Sequence, residues 1–249
     1  MYVFIITLLF FGCMTLKTHV GYTHPGYENN LVIDNKFKTG GENFTFLVKE
    51  MTPMLMNDCK ASPLLCQSFL GSSASGIVLG SDKTSIVVLT AAHFCVKGPN
   101  EAMFDQKIIS FAGDQPRDMM ILKTDIKNDL CLLLGPKKKS DNFKNIKIAE
   151  KLTVGEDVYA VAAPLGIAGP GLRLIFEGRL SGCNIDGCLS TIPATFGSSG
   201  AGIFNSRGEL ITIVMAVPEE FPHVTISPSN SELIKFIRDI DEEIDIYSY

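Results

Sequence analysis

The 249-residue chain has no tryptophan, only four histidines and no excess of basic charge. The histidines stand at 19, 24, 93 and 223, and no Cys-x-x-Cys pair accompanies them. A metal centre needs clustered ligands, so no metal site and no cofactor is expected. Lys and Arg number 22 against 27 Asp and Glu, a net charge of −5. A general nucleic-acid binder would show a basic field, so no nucleic-acid partner is expected. The one basic run, Lys137-Lys138-Lys139, reads as a solvated loop. Long apolar runs are also lacking, apart from Tyr2 to Cys13. A bilayer span needs about 20 apolar residues, so this run is too short to cross a membrane comfortably. It reads better as the apolar region of an export signal over residues 1–20, although the usual basic start is missing. Its end, "FFGC", resembles a lipoprotein signal with Phe10 in place of an aliphatic residue. On that alternative Cys13 would carry a lipid and tether the chain to a membrane. Either way the expected location is secreted, periplasmic or at the cell surface.

Apolar residues make up 46% of the chain and charged residues 20%, an ordinary globular balance. Seven cysteines are present, and six remain once Cys13 is removed or lipidated. An even number in an exported chain suits a disulfide framework. Cys59 with Cys66, and Cys183 with Cys188, would close short loops. Cys95 and Cys131 are then left to pair with each other or to sit as buried thiols.

Residues 21–58 read as an N-terminal extension, polar and rich in Gly, Asn and Lys over 21–45. Asn43-Phe44-Thr45 within it is a glycosylation sequon, relevant only in a eukaryotic secretory host. A folded domain is expected over 59–249. Its apolar runs are short and separated by turn signals. They include "SGIVLG" (75–80), "SIVVLTAA" (85–92), "DLCLLLG" (129–135), "DVYAVAA" (157–163), "AGIFN" (201–205) and "ELITIVMAV" (209–217). Rich in β-branched and apolar residues, they predict an all-β sandwich or barrel. "APLGIAGPGLRL" (163–174) interrupts the pattern as an exposed loop would. One helix is expected near the end. "SNSELIKFIRDIDEEI" puts Leu233, Ile237, Ile240 and Ile244 on one face, and Ser229 with Glu232 forms a capping box.

Three segments could act together. His93 ends an apolar run in "VVLTAAHFC", where a strand end can present an imidazole as a general base. Asp129 opens the apolar "DLCLLLG", and Asp118 stands similarly in "RDMMILK". A carboxylate at the mouth of a buried strand can orient an imidazole. Asp129 is preferred, because small Cys131 leaves more room than the two methionines after Asp118. In "TFGSSGAGIF" (195–204) the glycines allow a sharp turn that would present the Ser199 hydroxyl. The Gly197 and Ser199 N–H groups could there form an oxyanion hole.

The order His93, Asp129, Ser199 is one of the known chain orders for a nucleophilic triad. "LTAAHFC", "NDLCLLL" and "FGSSGAGIFNSRGELITI" resemble the three signature blocks of the chymotrypsin/trypsin-like serine peptidases. "SASGIVLG", "EGRLSG" and "TISPSNSELIKFI" are similar to the bacterial Deg/HtrA-type branch, here without a PDZ domain. The resemblance spans about residues 59–240. It implies two six-stranded antiparallel β-barrels meeting near residue 150, with a C-terminal helix. It also implies a serine endopeptidase that cleaves proteins or peptides through an acyl-enzyme, with His93, Asp129 and Ser199 as the triad. Ser198 stands where the digestive enzymes carry an aspartate that pairs with a newly cut N-terminus, so that activation switch is expected to be absent. On that resemblance Pro193 would fall at the floor of the specificity pocket and His223 near the segment that would line it. Pro193 argues against a preference for lysine or arginine. Small apolar residues are the default expectation, and His223 raises acidic ones as an alternative. A catalytically inactive, protein-binding relative is the alternative function.

Overall fold

The computed structural model describes residues 34–53, 69–98, 104–168 and 172–241. The export or lipid signal, Cys13 and the Cys59–Cys66 pair lie outside the described residues. Among those described, no helix is long and apolar enough to cross a membrane.

The first barrel is built from β1 (Phe44–Pro53), β2 (Phe69–Ser81), β3 (Ser85–Ala91), β4 (Phe104–Ser110), β5 (Arg117–Asp125) and β6 (Leu130–Pro136). Their order is β1-β2-β3-β6-β5-β4, and the β1–β4 pairing closes the sheet. The second six strands are β7 (Asp157–Ala162), β8 (Leu174–Cys183), β9 (Cys188–Ser190), β10 (Gly202–Asn205), β11 (Leu210–Ile213) and β12 (Thr225–Ser227). They run β11-β10-β7-β8-β9-β12. An antiparallel bridge from Ala216, just beyond β11, to Ile226 in β12 curls this sheet into the second barrel. The expected pair of six-stranded barrels is therefore present.

The unbroken apolar runs have a simple origin. Side chains alternate between the two faces of a strand, and here both faces are buried. Ile86 and Val88 of β3, with Cys131 and Leu133 of β6, fill the first barrel. Their neighbours Val87, Leu89, Leu130 and Leu132 face outward into a second cluster. That cluster also takes Tyr159 and Val161 from β7, Phe204 from β10 and Leu210 and Ile213 from β11. It forms the seam between the barrels. The other face of β7, Val158, Ala160 and Ala162, fills the second barrel with Leu180, Ile203 and Ile211.

Among the described residues the α-helices are α1 (Lys38–Asn43), α2 (Ala92–Cys95) and α3 (Asn230–Asp241). The α3 helix sends Leu233, Phe236 and Ile237 into the seam. Its start is capped as expected on one side, with Glu232 N–H donating to Ser229 Oγ at 3.2 Å. Of the face expected from sequence, Leu233 and Ile237 are buried.

The stretch read as an extension over 21–58 is corrected in its second half. Residues 44–53 form β1, paired on both sides. Just before it, Gly40 N–H donates to the Tyr159 hydroxyl at 3.2 Å, so α1 packs on the second barrel. The sequon is also buried. Asn43 is fully inaccessible, and its amide donates to Val78 O at 2.6 Å and Lys144 O at 2.7 Å. In the folded protein it is an internal tie and has no room for a glycan.

Candidate active site

The ladder between β3 and β6 pairs Thr90 with Cys131 and Ala91 with Leu130. One step further, Ala92 N–H donates to Asp129 O at 3.1 Å. His93 and Asp129 thus meet where the two strands diverge. Asp129 Oδ1 accepts the His93 backbone N–H at 2.8 Å, and Oδ2 lies 2.8 Å from Nδ1 of the imidazole. The carboxylate is largely buried, at 14% side-chain exposure, whereas the imidazole is 52% exposed. An acid held in the wall and a ring open to solvent is the arrangement a general base requires. Asp129 adopts a left-handed backbone, φ 54°, a region that Asp and Asn tolerate better than most residues. Two residues beyond each partner, Cys95 and Cys131 form a disulfide. The expected Cys183–Cys188 bridge is also present. Asp118 lies elsewhere, exposed on β5 and paired with Lys107 at 3.0 Å.

The second barrel supplies the serine turn. Ser198 N–H donates to Thr195 O at 2.9 Å, and Ser198 Oγ accepts the Thr195 N–H at 3.3 Å. Ser198 is buried and turns the loop upon itself. Gly197 has φ 89°, and a Cβ there would stand 2.5 Å from Ala163 O. Only glycine suits that position. Gly200 N–H donates to Val214 O at 2.8 Å, and Ala201 N–H to Ser198 O at 3.0 Å. Among the described residues, the Gly197 and Ser199 N–H groups donate no hydrogen bond within the protein. His93, Ser199 and Gly197 line one cavity of about 390 Å³, with Phe94, Leu165 and Phe196 as apolar walls. Ser72, Ser73 and Lys49 contribute at its edge.

Pro193 and His223 do not line this cavity. Their segments are neighbours, since Ala194 N–H donates to Pro222 O at 3.1 Å. The His223 ring is exposed and packs edge-on to Phe221, with centroids 5.7 Å apart. Among the described residues no cluster of His, Cys, Asp and Glu could hold a metal ion. Sequence reasoning gave no role to Phe196, which is 86% exposed beside Gly197, or to Leu165, which is 69% exposed with φ 54°. The signal for both was the glycine beside each: a chain that turns sharply exposes the neighbouring side chain.

A double β-barrel with a cleft of this composition is the architecture of the chymotrypsin-like peptidases. Residues 74–213 match the family described as the trypsin-like peptidase domain, and the chain belongs to that family. Among solved structures, the serine endoprotease of Yersinia pestis is similar, with TM-score 0.61 and 17% identity over 86% of this chain and 69% of that one. Rv3671c from M. tuberculosis H37Rv, in an inactive form, gives TM-score 0.60 and 14% identity over 88% of this chain and 96% of that one. At these identities the likeness is one of fold. No curated protein sequence matches the chain.

Proposed function

We propose that the chain is a serine endopeptidase in which Ser199 is the nucleophile. The observation that carries this reading is the shared cavity. The His93–Asp129 pair opens into it from the first barrel, and the Ser199 turn opens into it from the second. In the proposed reaction His93 Nε2 removes the Ser199 proton as Oγ attacks the scissile carbonyl. Asp129 keeps the Nδ1 proton in place and stabilises the imidazolium. The Gly197 and Ser199 N–H groups receive the negative charge that develops on the carbonyl oxygen. Losing one such donor typically costs about 100–1000-fold in rate. The imidazolium then gives its proton to the leaving amine. A water follows the same path to hydrolyse the acyl-enzyme.

The substrates proposed are proteins or peptides, met outside the reducing cytosol. Disulfides persist in oxidising compartments, and the two present here support export. The Pro193 and His223 segments are proposed to read the side chain before the scissile bond, with small apolar residues favoured in the absence of an acid at 193.

Labelling of the full chain with a fluorophosphonate tests the nucleophile. Label is expected on the wild type and on Ser198→Ala, and none on Ser199→Ala. Label that survives in Ser199→Ala, or is lost only in Ser198→Ala, removes Ser199 from the role. A folded wild-type protein that takes no label defeats the peptidase reading.

A further inference from the structure

The serine turn belongs to the second barrel, yet much of what holds it comes from one side chain of the first. Ser75 lies on β2 and is fully buried. Its backbone N–H donates to Ser199 O at 2.9 Å. Its hydroxyl donates to Gly197 O at 2.8 Å and accepts the Ala163 N–H at 2.9 Å. Its own carbonyl accepts from Thr90 Oγ1 at 2.8 Å, three residues before His93. Every polar atom of Ser75 is therefore engaged, and two of its partners, Gly197 and Ser199, line the cavity with N–H groups that donate no hydrogen bond among the described residues.

A trans peptide points its C=O and N–H in opposite directions. Fixing the carbonyls around the turn therefore fixes where its N–H groups aim. The Phe196 carbonyl is held by Leu165 N–H at 2.6 Å, which orients the Gly197 N–H. The Ser198 carbonyl is held by Ala201 N–H, which orients the Ser199 N–H. The Ser75 hydroxyl stands behind both. It holds the Gly197 carbonyl directly, between the two peptides. It also anchors Ala163, where the tight turn through Pro164, Leu165 and Gly166 begins. That turn carries the Leu165 N–H, and Leu165 holds a left-handed backbone there, φ 54°, of the kind that surrounding contacts must maintain.

We infer that Ser75 is a positioning residue for the reaction, setting the direction of the Gly197 and Ser199 N–H groups through its hydroxyl. The inference rests on the proposed peptidase reading. Ser75 touches no substrate. Removing its hydroxyl takes away the partner that the Gly197 carbonyl and the Ala163 N–H share behind the turn. The turn then regains freedom where the developing oxyanion needs fixed donors.

The test uses the full chain with Ser75→Ala, Ser75→Thr and Ser75→Cys, a peptide reporter cleaved by the wild type, and a peptide boronic acid that forms a tetrahedral adduct with the serine. Ser75→Ala is expected to lower kcat by about 10–100-fold while KM stays within about three-fold. The boronic acid should lose affinity by a similar factor, because its adduct draws on the same N–H pair. Ser75→Thr keeps the hydroxyl and should recover most of the lost kcat. A folded Ser75→Ala enzyme with wild-type kcat, or a loss confined to KM, overturns the inference. Where Ser75→Ala does not fold, Ser75→Cys decides. Its weaker donor should lower kcat at constant KM, and wild-type kcat in that variant overturns the assignment. Fluorophosphonate labelling keeps the two readings apart. An unlabelled wild type defeats the peptidase reading, whereas a labelled wild type with a fully active Ser75→Ala defeats only the role of Ser75.

Discussion

Asp129→Asn is the most informative single change, because the structure dictates how the new side chain must sit. Asp129 Oδ1 accepts from the His93 backbone N–H, and that group can only donate. The asparagine oxygen must therefore take the Oδ1 position, which leaves its NH2 group facing Nδ1 of the imidazole. An NH2 there donates, so Nδ1 must accept, and the ring proton moves to Nε2. On the proposed mechanism the ring then presents a hydrogen to Ser199 where it should present a lone pair. A base locked in the wrong tautomer costs about 10⁴-fold in kcat, about 5.4 kcal/mol of transition-state stabilisation. Folding should be spared, since asparagine is at ease in the left-handed conformation at position 129. The assay is kcat/KM on a peptide reporter at neutral pH, with the fluorophosphonate labelling rate and a thermal melt alongside. A folded variant that keeps more than about a tenth of wild-type kcat/KM would falsify the tautomer argument.

Two further expectations concern stability. The Cys95–Cys131 bridge closes a loop with a sequence separation of 36, so the Cys95→Ala/Cys131→Ala variant should lose roughly 4 kcal/mol on the chain-entropy estimate. A urea-unfolding difference below about 1 kcal/mol would remove the bridge from that role. Glu209 is held down to about 2 by its hydrogen bonds to the Lys147 ammonium and the Asn205 amide, with Arg207 adding to them. Its folded-state value lies below its unfolded one, so its contribution is complete above the ordinary value of 4.5 and fades as the pH falls towards 2. Glu209→Gln should therefore flatten the pH dependence of stability across that window, and unfolding curves that keep the wild-type pH slope would contradict the assignment.

The parts of the molecule that were legible share one property: their physics is local. Strands buried on both faces, such as β3 and β6, announce themselves as unbroken apolar runs. The helix α3 shows its cap and its apolar face within a dozen residues. The positions of His93 and Asp129 could be read because each sits at the end of such a run. Their pairing then follows from the β3–β6 register. What was missed is non-local. β1 carries Thr45 and Lys49 at buried positions, which interrupt its apolar pattern, and its partners β2 and β4 come later in the chain. The burial of Asn43 behind its sequon pattern was not legible because its carbonyl partners lie 35 and 101 residues away. The three residues of β12 are too few to give a pattern. Ser75 is the extreme case. Its hydroxyl partners are 88 and 122 residues distant in the chain, and no window along the sequence contains them together.

The order in which the parts occur along the chain carries a consequence for synthesis. The first barrel is complete at Pro136, with His93 and Asp129 already within it. Ser199, the bridge at Ile226 that curls the second sheet, and the α3 side chains that fill the seam all leave the ribosome later. Chains generally fold from the N-terminus as they emerge. On the proposed mechanism, a half-made protein carries a finished base and no nucleophile. Leu233, Phe236 and Ile237 belong to the same seam core as Leu130 and Leu132, from the strand that begins next to Asp129. On that reading, a chain made only as far as Pro136 holds the His93–Asp129 pair without the serine it would activate.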